Sequence, residues 1–276
     1  MVTQIKPIQM RLEQLCKVID SPVDNDETYS LPHRHDYWEI IWCLDDIGQQ
    51  NIDFVEYPHK VGRFFTIAPG QVHKPSPSSH NVRLLAFSVG FIDVSMRTTS
   101  FVKHLFSSQD LSSPYLDCDL EGHKYLLQLF NLMKEEYLKQ PCDWALLESL
   151  TSSFLRYLLR FSHRDESPME ERDPRINQVI DLIEQYYKKQ KNCLFYADKL
   201  CITNKRLNEI VHLALGKTVT QLIHDRIILE ANRDLAFSRK TIKTIAHDLG
   251  FSDTAYFSRF FRKNMNTSPT QFRSRR

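Results

Sequence analysis

No apolar run in this 276-residue sequence approaches the roughly 18 residues that crossing a bilayer takes, so a membrane-spanning chain is not expected and no membrane partner is assigned. The first residues, MVTQIKPIQMRLEQLCKVIDSP, also lack the basic start, apolar block and small-residue cleavage site of a secretory leader, which points to a cytoplasmic protein. Disulfide chemistry is missing in the same way. The six cysteines, Cys16, Cys43, Cys118, Cys142, Cys193 and Cys201, lie far apart with no C-x-x-C, and a chain of this length needs no disulfide framework. They read as small buried hydrophobes in a reducing compartment. What remains is a soluble composition, with enough apolar residues for two cores.

The net charge of +2 conceals an asymmetry. Residues 1–173 carry 17 Lys and Arg against 25 Asp and Glu, a net of −8, whereas residues 174–276 carry 19 against 9, a net of +10. Two domains with different partners follow, the C-terminal one suited to a polyanion.

From Tyr29 to Asp93 short aromatic and β-branched runs alternate with turn clusters: Trp38–Trp42, Ile52–Val55, Phe64–Ile67 and Val82–Phe87. Such runs predict an all-β sandwich or barrel. From Gly122 the period changes to that of a helix, with Leu126, Leu129, Phe130, Met133 and Tyr137 on one stripe. After Asp143 a second helix repeats it with Leu147, Leu150, Thr151, Phe154, Leu155 and Leu158. This helical hairpin over residues 120–161 must be covered by the barrel, by itself or by a second subunit. The charged stretch 162–173 reads as a linker, ended by Asp173-Pro174, a helix cap followed by proline at the first helical position. The expected division is therefore 1–161, 162–173 and 174–276.

The last hundred residues predict about seven helices, and two pieces match each other. Ala197-Asp-Lys-Leu200 corresponds to Ala246-His-Asp-Leu249 at an offset of 49, and Leu207–Val211 corresponds to Phe257–Phe261 at an offset of 50. A short helix, a tight turn and a longer helix, present twice with one extra residue in the second turn, is a tandem helix-turn-helix. Around the second long helix, Tyr256, Phe260, Phe257 and Phe261 fall at about 0°, 40°, 100° and 140°, one continuous arc. That arc reads as core, and the opposite face, with Ala255, Ser258, Arg259 and Arg262, as the working surface. Small residues and arginines suit a major groove, Arg259 reaching a base edge and Arg262 a phosphate, against the plainer reading of a solvated basic face. The first copy presents Lys205, Asn208, Glu209 and His212 outward, with Leu207, Ile210, Val211 and Ala214 inward.

Residues 175–275 resemble the DNA-binding domain of the AraC/XylS family of bacterial transcription regulators. The resemblance rests on Ile245-Ala246, Gly250-Phe251, Asp253, Tyr256-Phe257-Ser258-Arg259, Phe261-Arg262-Lys263, Ser268-Pro269 and Phe272-Arg273. It implies two helix-turn-helix units on a shared linker helix, reading successive major grooves of double-stranded DNA about 34 Å apart. It places base reading at Lys205, Asn208 and Glu209 in the first unit, and at Thr254, Ala255, Ser258 and Arg259 in the second. RNA polymerase is a further partner implied by the resemblance. Asn266 stands where the family usually has glycine, a position asparagine tolerates in left-handed backbone, and Glu209 replaces a commoner basic or polar residue.

In the N-terminal part, His33, His35, Tyr37 and Glu39 share one face if they enter a strand, and Pro69-Gly70-Gln-Val-His73 can bring in a third histidine. The spacing H-x-H-x-x-x-E followed by P-G-x-x-H resembles the cupin barrel, a sensor domain found in AraC-type regulators. Three histidines and a glutamate form a candidate site for a divalent metal such as Zn, Mn, Fe or Ni; the competing reading has them as pocket residues satisfied by hydrogen bonds. No cofactor is required by the sequence.

The overall expectation is an α+β multidomain chain. A cupin-like barrel with a helical hairpin binds a small effector, for instance a sugar or other metabolite, and forms a homodimer; an all-α tandem helix-turn-helix domain then binds DNA as a transcription activator. No catalytic residues are assigned. The rival from another class is a metal-dependent cupin enzyme, an isomerase or dioxygenase, carrying a nucleic-acid tether; a structural adaptor explains neither the basic charge nor the duplicated motif.

Overall fold

A computed structural model describes residues 7–8, 15–20, 31–75, 81–88, 91–92, 105–106, 114–162 and 173–274. They fall into two compact units, one within residues 6–166 and the other within 167–276. Most of the expected linker, residues 163–172, lies outside the described residues.

The N-terminal unit is built on a five-stranded antiparallel sheet. Its strands are β2 (Cys16–Ile19), β4 (Trp38–Cys43), β7 (Arg63–Ile67), β9 (Val82–Phe87) and β10 (Tyr115–Asp117), in the order β10-β7-β4-β9-β2. A three-stranded sheet holds β5 (Gln49–Ile52), β6 (Val55–Pro58) and β8 (His73–Pro75), and β1 (Pro7–Ile8) pairs with β3 (Arg34–His35). Alternation along β4 and β7 decides what each face meets. Ile40, Trp42, Phe64, Leu85 and Phe87 point one way, into a core with Leu126, Phe130, Met133, Leu147, Phe154 and Leu158. Ile41, Cys43, Phe65 and Ile67 point the other way and pack with Ile52 of the smaller sheet. Cover on both faces leaves all five residues of β7 buried, Arg63 and Thr66 included.

The helices that cover the first face are α1 (Leu120–Tyr137) and α2 (Trp144–Phe161), as the periodicity requires. Asp119 caps the first by accepting from Gly122 N at 2.6 Å, and Asp143 caps the second by accepting from Ala145 N and Leu146 N. Their apolar stripes thus pack on the sheet. One strand expectation fails. Ile52–Val55 is a hairpin rather than a strand, with Asp53 at φ 46° and Phe54 at φ 78° forming the two-residue turn between β5 and β6.

Among the described residues the C-terminal unit has seven helices: α3 (Arg175–Tyr186), α4 (Cys193–Lys199), α5 (Asn204–Leu215), α6 (Val219–Phe237), α7 (Ile242–Asp248), α8 (Thr254–Met265) and α9 (Pro269–Ser274). The Asp173 carboxylate accepts from Arg175 N at 3.0 Å, so the cap holds. The duplication is exact in its boundaries: α4 to α7 shifts by 49 residues and α5 to α8 by 50, which puts the extra residue in the second turn. Both short helices end in the same way. Ile202 N donates to Ala197 O and Phe251 N to Ala246 O, with Cys201 at φ 54° and Gly250 at φ 73° in the left-handed position between. The long helices end on Gly216 and Asn266, both left-handed, so asparagine serves where glycine is usual. Among described residues no helix is long and apolar enough to cross a membrane.

Candidate functional site

The second recognition helix starts where Asp253 accepts from Ala255 N and Tyr256 N. Thr254 and Ala255 therefore occupy its first turn and Ser258 and Arg259 its second. Phe257 and Phe261 are fully buried, while Ala255, Arg259 and Arg262 are exposed. Thr254 and Ser258 are half-buried, and the Ser258 hydroxyl donates to Thr254 O at 2.8 Å. The aromatic arc is narrower than expected, because Tyr256 at its edge is 54% exposed and leans on Phe251.

In the first recognition helix Lys205, Glu209 and His212 are exposed, and so is Ala214, expected inward. Arg206, which the sequence reading passed over, is exposed beside them with its guanidinium 3.4 Å from the Glu209 carboxylate. Its signal was simply a second cation in the first turn of the helix. Asn208 sits differently. Its amide nitrogen donates to Asn204 Oδ1 at 2.8 Å and Asn204 O at 3.0 Å, while its Oδ1 accepts from Val219 N at 3.1 Å. Reaching an adenine would break this bridge from α5 to the start of α6.

One core serves both reading helices. Leu207, Ile210 and Val211 of α5 and Phe257 and Phe261 of α8 join the same buried cluster, through Leu222, Ile223, Ile227 and Leu235 of α6. Arg226 of α6 pairs with Glu184 of α3 at 2.8 Å and Glu230 at 3.0 Å, over the Tyr187 ring. Lys191, in the α3–α4 loop, donates to Gly250 O at 2.9 Å and Lys188 O at 3.0 Å and lies over the Phe251 ring. Burial lowers its pKa. The α3–α4 loop is thereby clamped to the α7–α8 turn.

In the other unit the structure brings His33, His35, Tyr37, Glu39 and His73 together. His33 and His73 exchange both backbone hydrogen bonds at 3.0 Å, and Gly70 N donates to His35 O at 2.7 Å across the Pro69–Gly70 turn. Register, not side-chain attraction, sets the histidines face to face. His35 Nε2 lies 3.5 Å and His73 Nε2 3.4 Å from the same Glu39 Oε2. His35 Nδ1 contacts Tyr37 O at 2.8 Å, and the Tyr37 ring stacks on the imidazole at 4.0 Å. His33 Nδ1 contacts Leu31 O at 2.8 Å, and its ring lies 4.2 Å from that of His73. All five residues are buried. Burial pushes the His73 imidazole well below its usual range and lowers that of His33. Burial also opposes charge on Glu39, but the imidazoles, His35 first, outweigh it and hold the carboxyl down at about 2. His35, Glu39 and His73 each offer a donor atom, all within 4.8 Å of one another. Two imidazole nitrogens and a carboxylate oxygen are a donor set that fits a divalent cation.

A tandem reader on one core, in a chain that also holds a β-sheet unit with a buried polar cluster, is the build of a transcription regulator. A family described as "Helix-turn-helix domain" matches residues 196–275. The chain is 30% identical to the HTH-type transcriptional activator RhaS of Pectobacterium carotovorum over 87% of its own length and 86% of that protein's. It is 24% identical to the probable transcriptional regulator LumQ of Photobacterium leiognathi over 98% of both. Among solved structures, unsaturated fatty acid bound ToxT of Vibrio cholerae aligns at 16% identity over 86% of this chain and 87% of that one, with a TM-score of 0.41. The chain belongs to the AraC/XylS family of transcription regulators and binds DNA through its helix-turn-helix domain.

Proposed function

We propose that the protein activates transcription by laying α5 and α8 in successive major grooves, with its DNA affinity set by a ligand of the N-terminal unit. The observation that carries this is the repeated recognition helix, offset by 50 residues, on one shared core. Lys205, Arg206, Glu209 and His212 would read one block and Thr254, Ala255, Ser258 and Arg259 the other, with Asn208 holding the first helix against α6. Selecting bound duplexes from a random library with the full chain, at two salt concentrations, tests it. Two short enriched blocks about one helical turn apart support the reading; unselective, steeply salt-dependent binding sinks it.

Two substitutions separate base reading from phosphate contact. Arg259→Ala is expected to lose about 1 to 3 kcal/mol of discrimination at one or two base pairs, read from affinities for the selected site and its single mismatches. Arg262→Ala should weaken every duplex alike and lower the slope of log affinity against log salt by about one.

The ligand site of this reading is the cluster of His33, His35, Tyr37, Glu39 and His73, whose buried polar groups converge. A ligand there alters DNA binding only by favouring one arrangement of the protein over another. A homodimer would use the outer face of α1 and α2, where Tyr125, Leu132, Leu146 and Tyr157 are exposed. Activation implies contact with RNA polymerase in the cytoplasm. No enzymatic step is part of this reading, which accounts for both units at once.

A further inference from the structure

The duplication runs past the reading helices. Thr218-Val219-Thr220-Gln221 at the start of α6 and Ser268-Pro269-Thr270-Gln271 at the start of α9 stand 50 residues apart, the offset of α5 and α8. Both starts carry the same reciprocal cap. Thr218 N donates to Gln221 Oε1 at 2.7 Å and Gln221 N to Thr218 Oγ1 at 3.2 Å; Ser268 N donates to Gln271 Oε1 at 3.1 Å and Gln271 N to Ser268 Oγ at 3.2 Å. The backbone chemistry differs at the first helical position, where Val219 has an N–H and Pro269 has none.

That N–H decides what the reading helix before it can do. Val219 has no exposed surface, so its N–H, one of those a helix start leaves unpaired, needs an acceptor from the protein. Asn208 supplies it at 3.1 Å. An N–H only donates, so the atom facing it is the amide oxygen, and Asn208 Nδ2 is turned back onto Asn204 Oδ1 at 2.8 Å. The Cys193 thiol, at the start of α4, donates to that same oxygen, and its sulfur lies 3.4 Å from Asn208 Nδ2. One polar clasp thus joins α4, α5 and α6 at the edge of the reading face. Recognition of adenine takes both ends of an asparagine amide, and here both are engaged.

In the second unit each member of the clasp is replaced. At the offsets of 49 and 50 residues, Ile242 stands for Cys193, Thr254 for Asn204, Ser258 for Asn208 and Pro269 for Val219. Pro269 is buried as Val219 is, but without an N–H it asks nothing of Ser258. The Ser258 hydroxyl donates to Thr254 O at 2.8 Å within its own helix, which leaves its oxygen able to accept from a base edge.

We infer that the two readers are unequal by construction: Asn208 is a positioning residue that seats α5 through the clasp and leaves the base pair beneath it unread, whereas Ser258, released by Pro269, reads its own. Val219 and Pro269 thereby set specificity without touching DNA. The difference in reading rests on α5 and α8 entering the groove; the clasp does not.

Full-length variants test this on the selected duplex and its single-base substitutions in both blocks, with circular dichroism to confirm folding. Asn208→Ala should speed amide hydrogen exchange at Val219, followed by NMR, about tenfold or more. It should also flatten discrimination across the whole first block and leave the second as in the parent. Asn208→Asp, whose carboxylate still accepts from Val219 N at a helix start, should restore both the protection and the block profile; a base reader so changed would trade adenine for cytosine. Val219→Pro gives the first unit the proline of the second, at a position that suits it. Discrimination of about tenfold should then appear at one further base pair of the first block and vanish again in Val219→Pro/Asn208→Ala. Loss at a single base pair in Asn208→Ala, with the rest of the block intact, overturns the positioning role, as does unchanged exchange at Val219. A folded Val219→Pro that reads nothing new overturns the release by proline. Unselective binding by the parent sinks the tandem reader instead, and the exchange measurement still decides the clasp.

Discussion

Phe257→Ala is expected to destabilise the C-terminal unit by about 3 to 5 kcal/mol and to remove specific DNA binding with it. Phe257 has no exposed surface, and its ring meets Phe251 edge-on at 5.3 Å and Phe261 at 6.0 Å. Alanine would leave a cavity in the one core that both reading helices share, so the damage cannot stay in the second motif. The chain offers a way to see where the loss falls. Its three tryptophans, Trp38, Trp42 and Trp144, all lie in the N-terminal unit. In urea the helical circular dichroism of Phe257→Ala should therefore fall at lower denaturant than in the parent, while the tryptophan transition stays in place. Tyr256→Ala, one position away on a residue 54% exposed, should shift neither by more than about 0.5 kcal/mol. Equal losses at the two positions would mean that the arc of rings is not a core.

That contrast marks where the sequence was readable. Period and capping placed β4, β7 and β9, both hairpin helices, and the repeated motif down to its extra turn residue, because each is a local pattern: a short aromatic and β-branched run for a strand, a one-sided stripe for a helix. Failures came where a tertiary partner decides. Tyr256 and Ala214 lie at the edges of their arcs, and helical angle alone does not say where the neighbouring helix stops covering them. Asp53 and Phe54 turn a hairpin without the glycine that would announce it. Asn208 has a groove-facing residue's spacing, yet the N-terminus of α6 comes within reach of its carbonyl oxygen, a contact invisible from α5 alone. The histidine cluster lies between these cases. Alternation put His33, His35, Tyr37 and Glu39 on one side, but the pairing of His33 with His73 depends on the register of a distant strand.

Gly250→Ala should cost more than its torsion angle suggests, and it should act on the distance between the two reading helices. At φ 73° an alanine loses about 1 to 2 kcal/mol from backbone strain. The first copy shows that this much is bearable, because Cys201 holds the equivalent position at φ 54° with its side chain exposed. The second copy differs in what lies opposite. A Cβ on Gly250 would fall inside the contact distance of the Lys188 carbonyl oxygen, a backbone atom that cannot swing aside. Either the α3–α4 loop or the α7–α8 turn must move, and the hydrogen bond from Lys191 to Gly250 O joins those same two segments. The second recognition helix would shift relative to the first while each keeps its own reading face. Two blocks engaged together bind about 100-fold or more tighter than one, and that gain depends on geometry. Gly250→Ala should therefore bind a duplex carrying both blocks little better than a duplex carrying one, at a protein concentration where circular dichroism shows the unit still folded. If the variant keeps the parent's preference for the two-block duplex, the loop-to-turn clamp does not set the spacing, and the shared core around α6 is sufficient to do so.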